Sequence, residues 1–138
     1  MPPTDGDGEH LAAELAAEHE GRLSRRLLGV FWIACGINHF VNARAYEAIV
    51  PPSLAEEKQL VVQVSGVAEL AGGAGVLVPG TRRLAGWWLI ATLLAIFPAN
   101  VNMAVNAERF RVVPAPLLWV RLPLQGALIA WVWRAVLR

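Results

Sequence analysis

The chain has 138 residues, of which 56% are hydrophobic and only 17% are charged, and its formal net charge at pH 7 is +1. The basic residues occur in ones and twos, so the chain offers no basic face for nucleic acid, and no nucleic-acid partner is expected. The single cysteine, Cys35, excludes an intramolecular disulfide and a Cys-x-x-Cys redox pair. The apolar composition instead favours a membrane protein in which little chain remains for a separate soluble domain.

Residues 1–21 are predicted to form a cytoplasmic N-terminal tail. Residues 1–8 are rich in Pro, Gly and Asp and are expected to be disordered. Residues 9–20 contain strong helix formers, with Leu11 and Leu15 at i,i+4 spacing, and predict a short acidic helix that Gly21 ends. The remainder, residues 22–138, is predicted to be a single membrane domain.

Four apolar runs follow the tail, and each is about as long as the ~20 residues that a helix needs to cross a bilayer. They occupy residues 23–41, 60–78, 84–105 and 116–136. The first is interpreted as a retained membrane helix and not a cleaved signal peptide, because a polar stretch precedes it and no small-residue cleavage site follows it. The predicted fold is all-α, an integral membrane four-helix bundle with short loops.

The placement of arginine and lysine predicts how these spans are oriented. One side of the membrane collects seven basic residues and the other four, and cytoplasmic loops carry the excess. The first group is Arg22, Arg25, Arg26, Arg82, Arg83, Arg134 and Arg138, and the second is Arg44, Lys58, Arg109 and Arg111. We therefore expect a multi-pass protein of the plasma membrane with both termini in the cytoplasm.

The longest connection, residues 42–59, has the composition of a membrane interface. It contains Tyr46 and several apolar residues, and the consecutive prolines Pro51 and Pro52 break any helix there. We expect this loop to lie as a lid on the outer surface.

The strongly polar residues within the spans share one depth, in the outer half of the membrane. They are His39, Glu69, Asn100, Arg121 and Gln125. At about 1.5 Å of rise per residue, these residues fall within a few turns of the outer ends of their helices. Polar and charged side chains in hydrocarbon are costly, so they face the bundle interior and mark function. These five residues are the predicted ligand-binding residues.

Two prolines within the spans, Pro98 and Pro123, lie at the same depth. Each removes a helix hydrogen bond and tends to kink its helix. Broken helix at membrane depth is tolerated where it lines a cavity, so the prolines favour an open space among the polar residues.

Three interpretations of the polar cluster remain open. Glu69 and Arg121 could form an ion pair that fixes the helix register, with the neighbouring amides completing the hydrogen bonds. The same groups, roofed by His39, could line a ligand-binding cavity. A proton or ion path is the third interpretation. A metal site is not predicted, because Cys35, His39 and Glu69 have no recognised ligand spacing.

Six segments of the chain resemble the DoxX-like family of small four-helix membrane proteins. They are Gly36-Ile-Asn-His39-Phe, Tyr46 with Val50-Pro51, Ser65-Gly66-Val-Ala-Glu69-Leu, Pro79-Gly-Thr-Arg82-Arg83-Leu-Ala, Phe97-Pro98-Ala-Asn100-Val-Asn-Met103 and Arg121-Leu-Pro123-Leu-Gln125. The resemblance covers nearly everything after the N-terminal tail, and its last two motifs are the most specific. It implies association with a membrane redox complex, since the family takes its name from a subunit linked to thiosulfate:quinone oxidoreduction.

Two functions are consistent with the residues and with this resemblance. One is a quinone- or small-molecule-binding subunit that works with a membrane or soluble redox protein. The other is a non-catalytic membrane assembly module, and a small transporter is a distant third. Each of these functions is compatible with a homo-oligomer. The binding function requires polar side chains that face a cavity, whereas the module requires that Glu69 and Arg121 satisfy each other. Catalysis by the chain alone is not expected, because it lacks the cysteine pairs of redox-active relatives.

Overall fold

The structure is a computed structural model that describes residues 5–111 and 113–138, and within these residues the regular structure is entirely helical. Its α-helices are α1 (Asp5–Val41), α2 (Ala43–Glu47), α3 (Lys58–Leu77), α4 (Arg82–Val105) and α5 (Ala115–Val132). Short 3-10 turns cover Pro52–Glu57 and Ala107–Arg109, and a π-helical turn, Trp133–Leu137, continues α5. The all-α prediction is confirmed.

Three helical segments of the described chain are long and apolar enough to cross a membrane. They are Pro52–Leu77, Arg82–Val105 and Ala115–Leu137. The predicted first span, residues 23–41, forms the second half of α1 but is not among them. Two arginines near its beginning, together with Asn38 and His39 near its end, lower its mean hydropathy.

Helix α1 runs without a break through the predicted end of the tail helix. It is continuous from Asp5 to Val41, so the helix end predicted at Gly21 is wrong, and residues 5–8, predicted to be disordered, belong to the same helix. Glycine ends a helix by adopting a positive φ, and no described residue does so. An interior glycine costs only about 1 kcal/mol of helix propensity, which the strong helix formers around it offset. Residues 1–4, also predicted to be disordered, lie outside the described residues.

Helices α1 and α3 approach each other through two pairs of glycines. A Cβ atom on Gly36 would lie 2.8 Å from the carbonyl oxygen of Gly66, and one on Gly73 would lie 2.8 Å from the carbonyl oxygen of Gly29. Only residues without a side chain permit such a spacing between two helices. The contact brings the last turns of α1 beside the middle of α3, where the candidate site lies.

Two apolar clusters form the core of the described chain. The larger consists of Leu28, Trp32, Val76, Ala85, Leu89, Ile90, Leu93, Val132 and Ala135. The smaller consists of Met103, Ala104, Phe110 and Leu118, near the opposite ends of α4 and α5. Members of both clusters line the cavity described below, so the cavity lies between them.

Candidate functional site

A cavity of about 280 Å³ lies among α1, α3, α4 and α5. All of the polar residues predicted from their common depth line it, namely His39, Glu69, Asn100, Arg121 and Gln125. They come from four helices that are distant in sequence, and the packing of the helices brings them to one space. Their role in ligand binding remains a prediction, and their convergence on one cavity is what that role requires.

The remaining walls of the cavity are mainly apolar. They include Phe31, Trp32, Val61, Val62, Leu93, Ile96, Ala99, Met103, Leu124 and Leu128. Apolar walls with a few convergent polar groups are the usual form of a small-molecule site. The cavity is larger than the ~150 Å³ that holds a benzene ring. It is close to the lower end of the ~300–1,000 Å³ range of ligand pockets, so it suits a single substituted ring.

The segment after α1 closes one end of the cavity. Tyr46 of α2 and the following Ile49, Val50 and Pro51 line the cavity, and Pro51 is extended, with φ −56° and ψ 146°. The Tyr46 ring stacks on the His39 ring, with 3.9 Å between centroids and 25° between planes. The structure thus places this segment as a lid over the cavity.

The hydroxyl of Tyr46 is held at the edge of the cavity. It accepts a hydrogen bond from Asn38 Nδ2 at 2.8 Å, and Asn38 Oδ1 in turn accepts one from Asn42 Nδ2 at 2.5 Å. Burial raises the pKa of the Tyr46 phenol above its usual value, although the bond from Asn38 opposes the rise. The phenol therefore stays protonated at neutral pH and keeps a proton to donate.

Glu69 is paired with His39 and not with Arg121. His39 Nε2 lies 3.4 Å from Glu69 Oε2, and the two residues are only 8% and 7% exposed. Within the described residues, no carboxylate oxygen lies within 4.0 Å of the Arg121 guanidinium, so the Glu69–Arg121 ion pair, one of the three interpretations left open, does not form. The glycine contacts draw α1 onto α3, whereas the helix that carries Arg121 packs mainly on α4. His39 therefore reaches the carboxylate that Arg121 was expected to meet.

Three buried polar atoms of the cavity lining have no hydrogen-bond partner within the part of the chain that the structure describes. They are Trp32 Nε1, His39 Nδ1 and Glu69 Oε2. An unpaired buried polar group costs about 1–3 kcal/mol, and native proteins seldom leave one without a ligand or ordered water. Three such atoms around one cavity are sites at which a polar ligand or ordered water can form hydrogen bonds.

Asn100 and Gln125 are already partners of each other. Asn100 Nδ2 donates to Gln125 Oε1 at 2.9 Å, and Gln125 Nε2 donates to the carbonyl oxygen of Leu93. Both amides are buried. Leu93, which accepts the bond from Gln125, belongs to α4 and lies just over one turn before Pro98. These bonds fix α5 against α4, so the two amides form a rigid wall of the cavity.

Arg121 brings an unpaired positive charge to the cavity. Its guanidinium makes no hydrogen bond and no ion pair with any described residue. A guanidinium carries five N–H donors, and none of those of Arg121 is used by a described residue. The cavity therefore offers donors from Arg121 and Trp32 and an acceptor from Glu69.

Trp32 was not among the predicted site residues, although the sequence contains a signal for it. The other five tryptophans lie near the ends of the predicted spans, as in the aromatic belts of membrane proteins. Trp32 lies instead in the middle of residues 23–41. A buried tryptophan needs a partner for its N–H, and its position within a span marks it as a candidate donor.

Comparison with known proteins identifies one family. The family described as Domain of unknown function (DUF8561) matches residues 28–136, a range that includes all of the candidate site residues. No curated protein and no solved structure matches the chain. Because the match covers most of its length, the chain belongs to the DUF8561 family.

Proposed function

We propose that the protein is an integral membrane four-helix bundle that binds a small, quinone-like molecule as a subunit of a membrane redox system. The observation that carries the proposal is the cavity, in which unpaired buried polar atoms and the unpaired Arg121 share a space of about 280 Å³. The resemblance to the DoxX-like family supplies the redox assignment, which remains a prediction. Electron transfer is left to a partner redox protein, because the chain has one cysteine and no redox pair.

The polar groups suit a ring that carries carbonyl or hydroxyl oxygens. Arg121 and Trp32 can each donate a hydrogen bond to a carbonyl oxygen, and Glu69 can accept one from a hydroxyl. Both the quinone and the quinol form of a head group would therefore find partners. Phe31 and Trp32 offer faces against which such a ring can pack, and the apolar walls can hold its substituents.

The assembly-module alternative is disfavoured by the same geometry. It requires that Glu69 and Arg121 satisfy each other and leave no space between them. Glu69 lies instead against His39, and Glu69 and Arg121 both line an open cavity without pairing with each other. The ligand-binding function needs neither a Glu69–Arg121 contact nor a closed core.

The first test is lipid extraction and mass spectrometry of the purified protein, in which a quinone is expected to co-purify. Arg121→Gln is then expected to weaken the binding of a short-chain ubiquinone analogue by about tenfold or more, because it removes a charge-assisted hydrogen bond worth about 1.5–3 kcal/mol. The measurement is quenching of tryptophan fluorescence during titration with the analogue. Arg121 has no described hydrogen-bond partner, so its substitution leaves no other side chain unpaired. Substitution of Asn100 would instead leave Gln125 Oε1 without its donor.

Arg109→Gln serves as the matched control for this experiment. Arg109 is exposed and lies outside the cavity, and its loss changes the net charge by the same amount. Equal analogue affinity in the wild type and both variants would contradict a role for Arg121. Failure of the wild type both to co-purify with a quinone and to bind the analogue would favour the assembly module.

The proposal includes four spans in the plasma membrane and cytoplasmic termini. Three apolar helices support insertion, and the close packing of α1 along α3 supports residues 23–41 as the remaining span. In a Cys35→Ala background, Ser53→Cys in the lid segment is expected to react with a membrane-impermeant maleimide added outside intact cells. Gly80→Cys, at the opposite end of α3, should react only after permeabilisation. The reverse pattern would mean that the orientation is inverted.

A further inference from the structure

A second pocket, of about 240 Å³, lies at the other end of the helices from the lid. Arg22, Arg25 and Arg26 of α1 and Arg82 of α4 line it, and its apolar lining includes Leu77 and Pro79. No carboxylate is part of the lining. The seven basic residues counted for topology are spread over three stretches of the sequence, and the fold brings four of them to one space.

The positive charge of this pocket is poorly compensated by the described residues. Arg22 Nη1 lies 3.6 Å from Glu18 Oε1, but both side chains are more than half exposed, and such pairs contribute little. Arg25 and Arg26 make no hydrogen bond and no ion pair within the described ranges. Like charges held together repel one another, so an anion in the pocket would stabilise this arrangement.

Arg82 is held in place by the end of α3. Its Nε donates to the carbonyl oxygen of Val76 at 3.1 Å, which satisfies one of the free carbonyls of the last turn. This bond uses one of its five N–H donors and orients the rest of the guanidinium. Arginine binds phosphate through pairs of parallel N–H groups, so a fixed guanidinium is suited to a phosphate oxygen.

If the candidate spans cross a bilayer as proposed above, the pocket lies at the level of the lipid headgroups. One candidate span ends at Leu77 and the next begins at Arg82, so the pocket lies at the ends of both. Val78 and Leu84 beside it are 53% and 74% exposed, and their apolar side chains offer a surface for acyl chains. Basic pockets between membrane helices are suited to anionic lipid headgroups.

We propose that this arginine pocket binds a phosphate group and that the headgroup of an anionic phospholipid supplies it. The site is separate from the quinone-like ligand cavity, and of the proposed function it rests only on insertion into a membrane. Its function would be to fix α1 against the beginning of α4 at the membrane surface. A soluble phosphate ion has the same charged oxygens but lacks the acyl chains that the neighbouring apolar side chains would contact.

The test uses the full-length protein in detergent, with phosphatidylglycerol as the probe and phosphatidylcholine as the zwitterionic reference. Native mass spectrometry counts the lipids bound to the wild type and to the double variant Arg25→Gln/Arg26→Gln. Each arginine near a membrane surface contributes about fivefold to the affinity for anionic lipid, so the double variant should lose about 25-fold. Arg82 is left intact because it also caps α3.

The matched control is the double variant Arg83→Gln/Arg138→Gln. Both residues are exposed, belong to the same predicted side and lie outside the pocket, and the change in net charge is identical. Phosphatidylglycerol affinity should change little in this variant, and thermal unfolding without lipid should be similar in both double variants. Equal losses of phosphatidylglycerol affinity in the two double variants, or no loss in either, would overturn the proposal that this pocket binds the lipid.

A competition arm identifies the source of the phosphate. Inorganic phosphate is not expected to displace phosphatidylglycerol from the wild type, because the lipid adds contacts with apolar side chains. Displacement at comparable concentrations would overturn the lipid assignment and make the pocket a site for soluble phosphate. Binding of phosphatidylcholine as tight as that of phosphatidylglycerol would overturn selectivity for a net negative headgroup.

Discussion

Gly36→Ala is expected to lower the free energy of unfolding by about 1–3 kcal/mol, the usual cost of overpacking a close contact. The added Cβ would lie 2.7 Å from Leu70 Cγ and 2.8 Å from the carbonyl oxygen of Gly66. A side chain could rotate away, but the carbonyl oxygen can move only if α3 shifts. Helices α1 and α3 would then separate, and His39 would move away from Glu69. Chemical unfolding of the purified protein in detergent micelles measures the loss.

Gly126→Ala is the matched control for this substitution. A Cβ on Gly126 would meet nothing within 4 Å, and alanine is the better helix former by about 1 kcal/mol, so stability should stay the same or rise. Analogue binding should survive in Gly126→Ala and fall in Gly36→Ala. If Gly36→Ala is as stable as the wild type, α1 does not pack on α3 through this contact. The main support for α1 as a membrane span would then be lost.

Much of the site could be predicted because depth along a helix can be counted from the sequence. Glu69, Arg121 and Gln125 were placed together from their distances to the ends of apolar runs, and all of them line one cavity. The lid was predictable for a similar local reason, since Pro51 and Pro52 prevent α2 from continuing into α3. Local rules of this kind do not depend on which helices are neighbours.

The partner of Glu69 could not be predicted by counting depth. The depth of a residue along its helix does not show which helices are neighbours in the bundle. By depth alone, either His39 or Arg121 could contact Glu69. The choice is made by Gly36 and Gly66, which let α1 approach α3 more closely than helices with larger side chains could. The same small residues were visible in the sequence, but their partner helix was not.

The helix end predicted at Gly21 fails for a different reason. Glycine permits a chain reversal without requiring one, and neighbouring residues decide whether it occurs. Here alanine, leucine, glutamate and arginine on both sides favour a continuous helix, and α1 extends unbroken through Gly21. The outcome places the acidic tail and the first predicted span in one helix, so Glu18 and Arg22 contact each other across Gly21 at i,i+4 spacing.

Glu69→Gln and His39→Gln are each expected to destabilise the protein, and the double variant should recover part of the loss. Removing one member of a buried polar pair leaves the other without its partner, which costs about 1–3 kcal/mol and more for a charged group. The value here should fall at the lower end, since the 3.4 Å contact does not form a hydrogen bond at Glu69 Oε2. A double-mutant cycle on unfolding free energies should give a coupling of about 0.5–3 kcal/mol between the two residues.

A double-mutant cycle for Glu69 and Arg121 distinguishes the His39–Glu69 contact from the Glu69–Arg121 ion pair considered from the sequence. Without an ion pair between them, the two losses should add to within about 0.5 kcal/mol. Strictly additive losses for Glu69 and His39 would rule out their contact. A larger coupling of Glu69 to Arg121 than to His39 would mean that the two charges meet across the cavity in the absence of ligand. The Glu69–Arg121 pair would then close the site. This result would favour the assembly module over a protein that binds a quinone-like molecule.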